Sequence, residues 1–176
     1  MTGSPSYSRP LILLHWLVFL AAALAVAAIE IKGFFPKGTP ERAQLGMLHE
    51  SLGIIVLALM TLRLMVRALG RIPPPASSYW VEMSVHAMHA ALYVLMLAMP
   101  ILGLMALGWS GKPVPLFGTS WTLPMAIDMP LGRNLKQIHE FGANLVFIAV
   151  GLHAAAALWH QFVLKDGLMQ RMRPGR

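Results

Sequence analysis

Long apolar stretches alternate along the chain with short breaks rich in glycine, proline and charge. Four of the stretches are long enough to cross a bilayer as helices, which takes about 20 residues. The first covers about 10–29. Pro10 suits a first helical turn, and Gly33, Pro36, Gly38 and Pro40 form the break that follows. The second covers about 43–67 and stops before Gly70 and Pro73-Pro74-Pro75. Its uncharged part, Ser51–Leu62, is short. It spans only if Glu50 lies near one interface and Arg63 and Arg67 snorkel to the other. The third covers about 82–107, with Pro100 expected to kink it. Residues 108–132 form a loop rich in Gly, Pro and aromatics, too long for a simple turn and expected to cap one face. The fourth covers about 136–163 and runs into a basic tail. The pattern predicts an all-α fold, an integral membrane four-helix transmembrane bundle, with residues 1–176 as a single membrane domain.

Composition agrees. Of the 176 residues 57% are apolar and 12% charged, and mean hydropathy is +0.63, too little charge for a soluble domain of this length. The absence of cysteine excludes disulfides, thiolate metal sites, c-type haem attachment and cysteine nucleophiles. The net charge of +7 and pI of about 10.4 would suggest nucleic acid in a soluble protein. Here the cations lie in loops and tail, where membrane orientation is the simpler account. Arg9 followed by Leu11–Ile29 has the order of a secretory signal. The apolar run is too long for one, however, and Glu30–Phe35 offers no small-residue cleavage pattern, so the segment reads as helix one.

An N-in, C-in topology places eight cations inside: Arg9, Arg63, Arg67, Arg71, Lys165, Arg171, Arg173 and Arg176. Six lie outside: Lys32, Lys37, Arg42, Lys112, Arg133 and Lys136. Five of the seven acids, Glu30, Glu41, Glu50, Asp128 and Glu140, are also outside. The positive-inside rule therefore favours both termini in the cytoplasm, by a modest margin.

Seven histidines carry the chemistry: His15, His49, His86, His89, His139, His153 and His160. Ionisable residues inside membrane helices are costly and usually functional, and imidazole is a common axial ligand of haem iron. His139 and His153 are 14 residues apart, which returns them to within about 40° of one helix face and separates them by about 21 Å along the axis. One helix thus offers two ligands at opposite depths. His49, at the start of helix two, shares the depth of His139. His15, near the start of helix one, shares that of His153. The pairs His49–His139 and His15–His153 follow, each clamping one macrocycle between two helices. Full axial coordination favours electron transfer over oxygen binding. A lone membrane histidine is readily explained as a hydrogen-bonded packing residue, but two depth-matched pairs are not.

Small residues flank these positions. Gly46 and Gly53 lie on either side of His49, Gly142 follows His139 and Gly151 precedes His153. Each admits a flat macrocycle or, equally well, close helix packing. His89 rivals His15 as the inner ligand, and His86 beside it reads as interfacial. His160, about 20° off the His153 face, is suited to proton exchange with a quinone; beside Trp159 it also reads as an interfacial histidine. His160 and His89 are the candidate quinone-site residues. Arg63 and Arg67 inside, and Lys136, Arg133 and Arg42 outside, are candidates for haem propionates and alternatively interfacial anchors. Thirteen scattered methionines fit packing rather than copper. Trp80, Trp109 and Trp121 fit aromatic belts or loop packing.

Particular residues also carry a resemblance. Tyr7-Ser8-Arg9 with His15-Trp16-Leu17-Val18-Phe19-Leu20, Gly33-Phe34-Phe35-Pro36, the His49 helix, and above all Gly151-Leu152-His153-Ala154-Ala155-Ala156-Ala157 with His139-Glu140 upstream, resemble the bacterial di-haem cytochrome b561 family over nearly the whole chain. Within that family the resemblance is to membrane-bound superoxide oxidases (superoxide:ubiquinone oxidoreductases). It implies two haem b groups held by His15, His49, His139 and His153. It also implies a bacterial inner-membrane location, superoxide as periplasmic electron donor and ubiquinone as acceptor. The same four-histidine core resembles cytochrome b anchor subunits that pass electrons between a partner dehydrogenase or hydrogenase and quinone. A superoxide entrance should be positively charged, yet the outer cations exceed the outer acids by only one, so attraction would have to come from local clustering. A haem-free scaffold or small transporter is the third reading, and an absorption spectrum separates it from the other two.

Overall fold

The structure, a computed structural model, describes residues 7–70 and 79–172. Four long helices dominate it: α1 (Arg9–Lys32), α2 (Pro40–Leu69), α3 (Tyr79–Trp109) and α4 (Met129–Trp159). All four are long and apolar enough to cross a membrane. The protein is an all-α, four-helix transmembrane bundle. Pro73–Pro75, Arg71, Arg173 and Arg176 lie outside the described residues.

The helix starts differ from the apolar pattern because caps, not hydrophobicity, fix them. Thr39 accepts a hydrogen bond from the Arg42 amide, with Pro40 next in the chain and Glu41 in the first turn, so α2 begins three residues before its apolar run. Asp128 Oδ1 accepts from the Leu131 amide at 2.9 Å, and Pro130 follows in the first turn. This starts α4 at Met129 rather than near 136. α3 runs continuously through Pro100 to Trp109. α4 continues as a π-helical turn, His160–Leu164, and a 3-10 segment covers Leu168–Met172. This last segment folds back on α1, where the Trp16 indole donates to the Met172 carbonyl at 3.0 Å.

α1 packs along α2 and α3 along α4, and α2 joins the two hairpins through α3. The core sits where α1, α2 and α3 meet. Val18, Ala21, Val56 and Met60 are buried there, with Tyr93, Met96 and Leu97 of α3 against them. The opposite faces carry exposed large apolar side chains, among them Phe141 at 66% and Ile148 at 59%. A surface of that kind is covered by lipid in a spanning bundle.

The long loop is ordered. It holds a hairpin, β1 (Val114–Leu116) against β2 (Thr119–Trp121), with Leu116 opposite Thr119. Phe117 and Gly118 both have positive φ, 42° and 93°, the requirement of a type I′ turn. Ser51 of α2, 1% exposed, pins the hairpin to the bundle. Its hydroxyl donates to the Pro115 carbonyl and accepts from the Phe117 amide, both at 3.3 Å. The loop thus caps the bundle end that holds His49.

Candidate functional site

Antiparallel threading brings the start of α2, the end of α3 and the start of α4 to one end of the bundle. His49 and His139 meet there, ring centroids 6.1 Å apart and planes at 87°. Each ring is oriented from behind. His49 Nδ1 donates to the Ala25 carbonyl of α1 at 2.8 Å, and His139 Nδ1 to the Met99 carbonyl of α3 at 2.9 Å. A carbonyl can only accept, so Nδ1 carries the proton and Nε2 keeps its lone pair. Such backing bonds hold metal-ligating imidazoles in place.

At the other end His15 of α1 and His153 of α4 stand 6.2 Å apart, planes at 70°. His89 of α3 is a third imidazole there, 5.7 Å from His153, with its Nδ1 bonded to the Val85 carbonyl at 2.7 Å. Arg63 is an electrostatic neighbour of all three. The Arg63 and Arg67 guanidiniums lie 5.3 and 5.6 Å from the centre of the Tyr93 ring. Arg63 Nε and the Tyr93 hydroxyl are buried without a hydrogen-bond partner among the described residues.

These arrangements fit haem on three counts. With a metal–imidazole bond of about 2.0–2.1 Å and each ring centre about 1 Å behind its nitrogen, two axial imidazoles stand about 6 Å apart, the spacing of both pairs. The backbones of α1 and α2 do not pack along α4, so their histidines meet those of α4 by side chain alone. Finally, the orphaned guanidine nitrogen of Arg63, the electrostatic neighbour of His15 and His153, and the Tyr93 phenol against it are donors suited to a carboxylate such as a propionate. Among the described residues no three or more His, Asp or Glu converge on a single metal ion; the histidines pair between helices instead.

The flanking glycines divide by role. A Cβ at Gly53 or Gly151 would meet nothing within 4 Å, as expected beside an opening. At Gly142 it would come within 2.6 Å of Met99 Sδ, which is ordinary helix packing. At Gly46 it would meet only the flexible Lys32 ammonium, at 3.0 Å. The glycine that touches a histidine was not singled out from sequence: a Cβ at Gly103 of α3 would lie 3.3 Å from His139 Cε1. Tyr93 was also missed, since one tyrosine in an apolar helix gives no signal until its neighbours are known.

The remaining candidates are otherwise engaged. Lys136 is exposed and paired with Glu140. Arg42 donates to the Lys32 and Phe35 carbonyls at 3.0 and 2.7 Å, tying the α1–α2 loop. Arg133 is exposed. His86 is exposed and bonds its own helix at the Glu82 carbonyl. His160 pairs with Asp166, Nδ1 to Oδ2 2.5 Å. That contact, together with the Leu168 amide, holds the Asp166 carboxyl below its ordinary range.

A four-helix membrane bundle with histidine pairs at both ends is the arrangement expected of a membrane cytochrome of the b type. The prokaryotic cytochrome b561 family matches residues 6–175, and the chain belongs to that family. It is 33% identical over 174 residues to cytochrome b561 homolog 1 of Escherichia coli (strain K12), covering 97% of this chain and 98% of the relative. It is 35% identical over 170 residues to the probable superoxide oxidase CybB of Yersinia pestis, covering 96% of each. It is 28% identical over 184 residues to cytochrome b562 of Cereibacter sphaeroides, covering 98% of each. Membership makes this a multi-pass bacterial membrane protein that carries haem b and transfers electrons.

Proposed function

We propose that the chain carries electrons from superoxide at the periplasmic face to ubiquinone, through two haems held by His49–His139 and His15–His153. The observation that carries this reading is the pair of imidazole couples, 6.1 and 6.2 Å apart, at opposite ends of the bundle. When bound, the haem irons supply the one-electron redox chemistry. The polypeptide does the rest. His49, His139, His15 and His153 would hold the haems, and two imidazoles to each iron would favour electron transfer over oxygen binding. The α1–α2 hairpin faces α4 across both sites and fixes their separation, about 21 Å along the axis. Arg63 and Tyr93, with Arg67 over the same ring, would hold the inner propionates. At the outer end a cavity of about 590 Å³ is lined by Lys32, Arg42 and Glu50 beside Gly46 and Met47. Two cations against one carboxylate give a small anion a local attraction. The similarity to a protein named a probable superoxide oxidase supports this donor. With both termini in the cytoplasm, His160 lies at the inner edge, where a proton donor suits quinone reduction.

Rapid mixing of the oxidised protein with superoxide tests the donor. Haem reduction should appear at a rate that falls with salt, and added ubiquinone should reoxidise the haems. An unchanged haem spectrum overturns the proposal. Reduction only through a stoichiometric co-purifying dehydrogenase or hydrogenase establishes the anchor-subunit reading in its place.

A further inference from the structure

The inner end of α4 does not finish as a regular helix. His160–Leu164 form a π-helical turn, and Lys165 then takes a left-handed conformation at φ 53°, ψ 33°. In a continuous α-helix a residue six positions after His160 would point about 120° away and lie about 9 Å further along the axis. The widened turn and the reversal instead return Asp166 to His160, with Oδ2 2.5 Å from Nδ1. The other carboxylate oxygen accepts from the Leu168 amide at 3.0 Å, so the backbone fixes the carboxylate as well. A π turn is rare and concentrates at functional sites, and left-handed backbone is unfavourable for a lysine. Both irregularities serve this one contact.

We propose that Asp166 is the positioning residue of the proton donor to quinone: it holds His160 with Nδ1–H toward the carboxylate, so that Nε2–H faces the quinone oxygen. The proposal rests on the quinone-reductase reading above. In the overall reaction two superoxide anions each give up one electron and leave as dioxygen, and quinone takes up two electrons and two protons to give hydroquinone. His160 passes a proton from Nε2 to a quinone oxygen and is reprotonated from cytoplasmic water. Asp166 remains a carboxylate throughout, as its depressed ionisation range permits. The other titratable groups on the elements that meet here are His153 on α4, Lys165 on the turn, Arg171 on the 3-10 segment, and Tyr7 and Arg9 at the start of α1.

The test is stopped-flow on the haem-loaded full chain in lipid nanodiscs, with superoxide and then a short-chain ubiquinone, following reduction and reoxidation of the haem bands. Asp166→Asn should leave the haem spectrum and the superoxide phase unchanged and slow reoxidation roughly 10- to 100-fold. Asp166→Glu should restore most of the rate. His160→Gln should slow reoxidation as well, with the double variant no slower than His160→Gln alone. Normal reoxidation in Asp166→Asn with His160→Gln slowed, or an Asp166→Asn defect that Asp166→Glu does not restore, overturns the proposal and leaves the quinone reading standing. A wild type whose reduced haems no quinone reoxidises overturns both.

Discussion

Replacing Tyr93 by Phe should weaken the hold on the inner haem while leaving the haem-free chain as stable or more so. The Tyr93 hydroxyl is buried and has no hydrogen-bond partner among the described residues, with two guanidiniums on its ring. An unsatisfied buried donor costs about 1–3 kcal/mol, and Phe removes it with almost no change in shape. The ring still packs against Val18, Ala21, Val56 and Met60. With a propionate present the same hydroxyl donates to a carboxylate, a bond worth about 1.5–3 kcal/mol. Haem binding by Tyr93→Phe should therefore fall about 10- to 150-fold, at about 1.4 kcal/mol per tenfold. The assay is haem transfer from the detergent-solubilised protein to an excess of a competing apo-haemoprotein, with thermal unfolding of both haem-loaded and haem-free forms. The inner haem should leave faster and the outer haem at its wild-type rate. Wild-type retention of both haems, or a haem-free variant less stable than its parent, would refute the assignment of Tyr93 to a propionate.

Two further outcomes follow from the packing. Ser51→Ala removes two 3.3 Å hydrogen bonds that pin the β1–β2 hairpin; at a loss of about 1–2 kcal/mol, exchange of the Phe117 amide should quicken about 5- to 30-fold, measured by hydrogen exchange. Gly142→Leu forces apart α4 and α3 at Met99, whose carbonyl orients His139. Overpacking of about 1–3 kcal/mol should lower thermal stability and broaden the spectrum of the outer haem while the inner one is unchanged.

The bundle was legible because its signal is redundant: four apolar runs separated by Gly–Pro breaks leave few alternatives. Helix ends were less legible, since Thr39 and Asp128 extend α2 and α4 into polar sequence through capping bonds that hydropathy does not register. The hairpin was invisible because its turn is Phe117-Gly118, and Phe is not a residue that announces positive φ. Depth brought His49 to His139, as a helix repeat converts 14 residues into a fixed rise and nearly one face, but at the other end it left His15 and His89 as rivals, and both rings lie beside His153. Which neighbours back those rings could not be read. The partners of His49 and His139 are the carbonyls of Ala25 and Met99, and a backbone acceptor leaves no trace in composition. Asp166 was unreadable for a different reason: regular helix geometry places it away from His160, and only the π turn brings it back.

If each end of the bundle holds one haem between two histidines, haem content and low-temperature α-band spectra of the four single variants His15→Ala, His49→Ala, His139→Ala and His153→Ala will show it. His49→Ala and His139→Ala should lose or convert to high spin the same spectral component, and His15→Ala and His153→Ala should do so for the other. Any variant that leaves both components intact, or a shared loss between His49→Ala and His153→Ala, would contradict it.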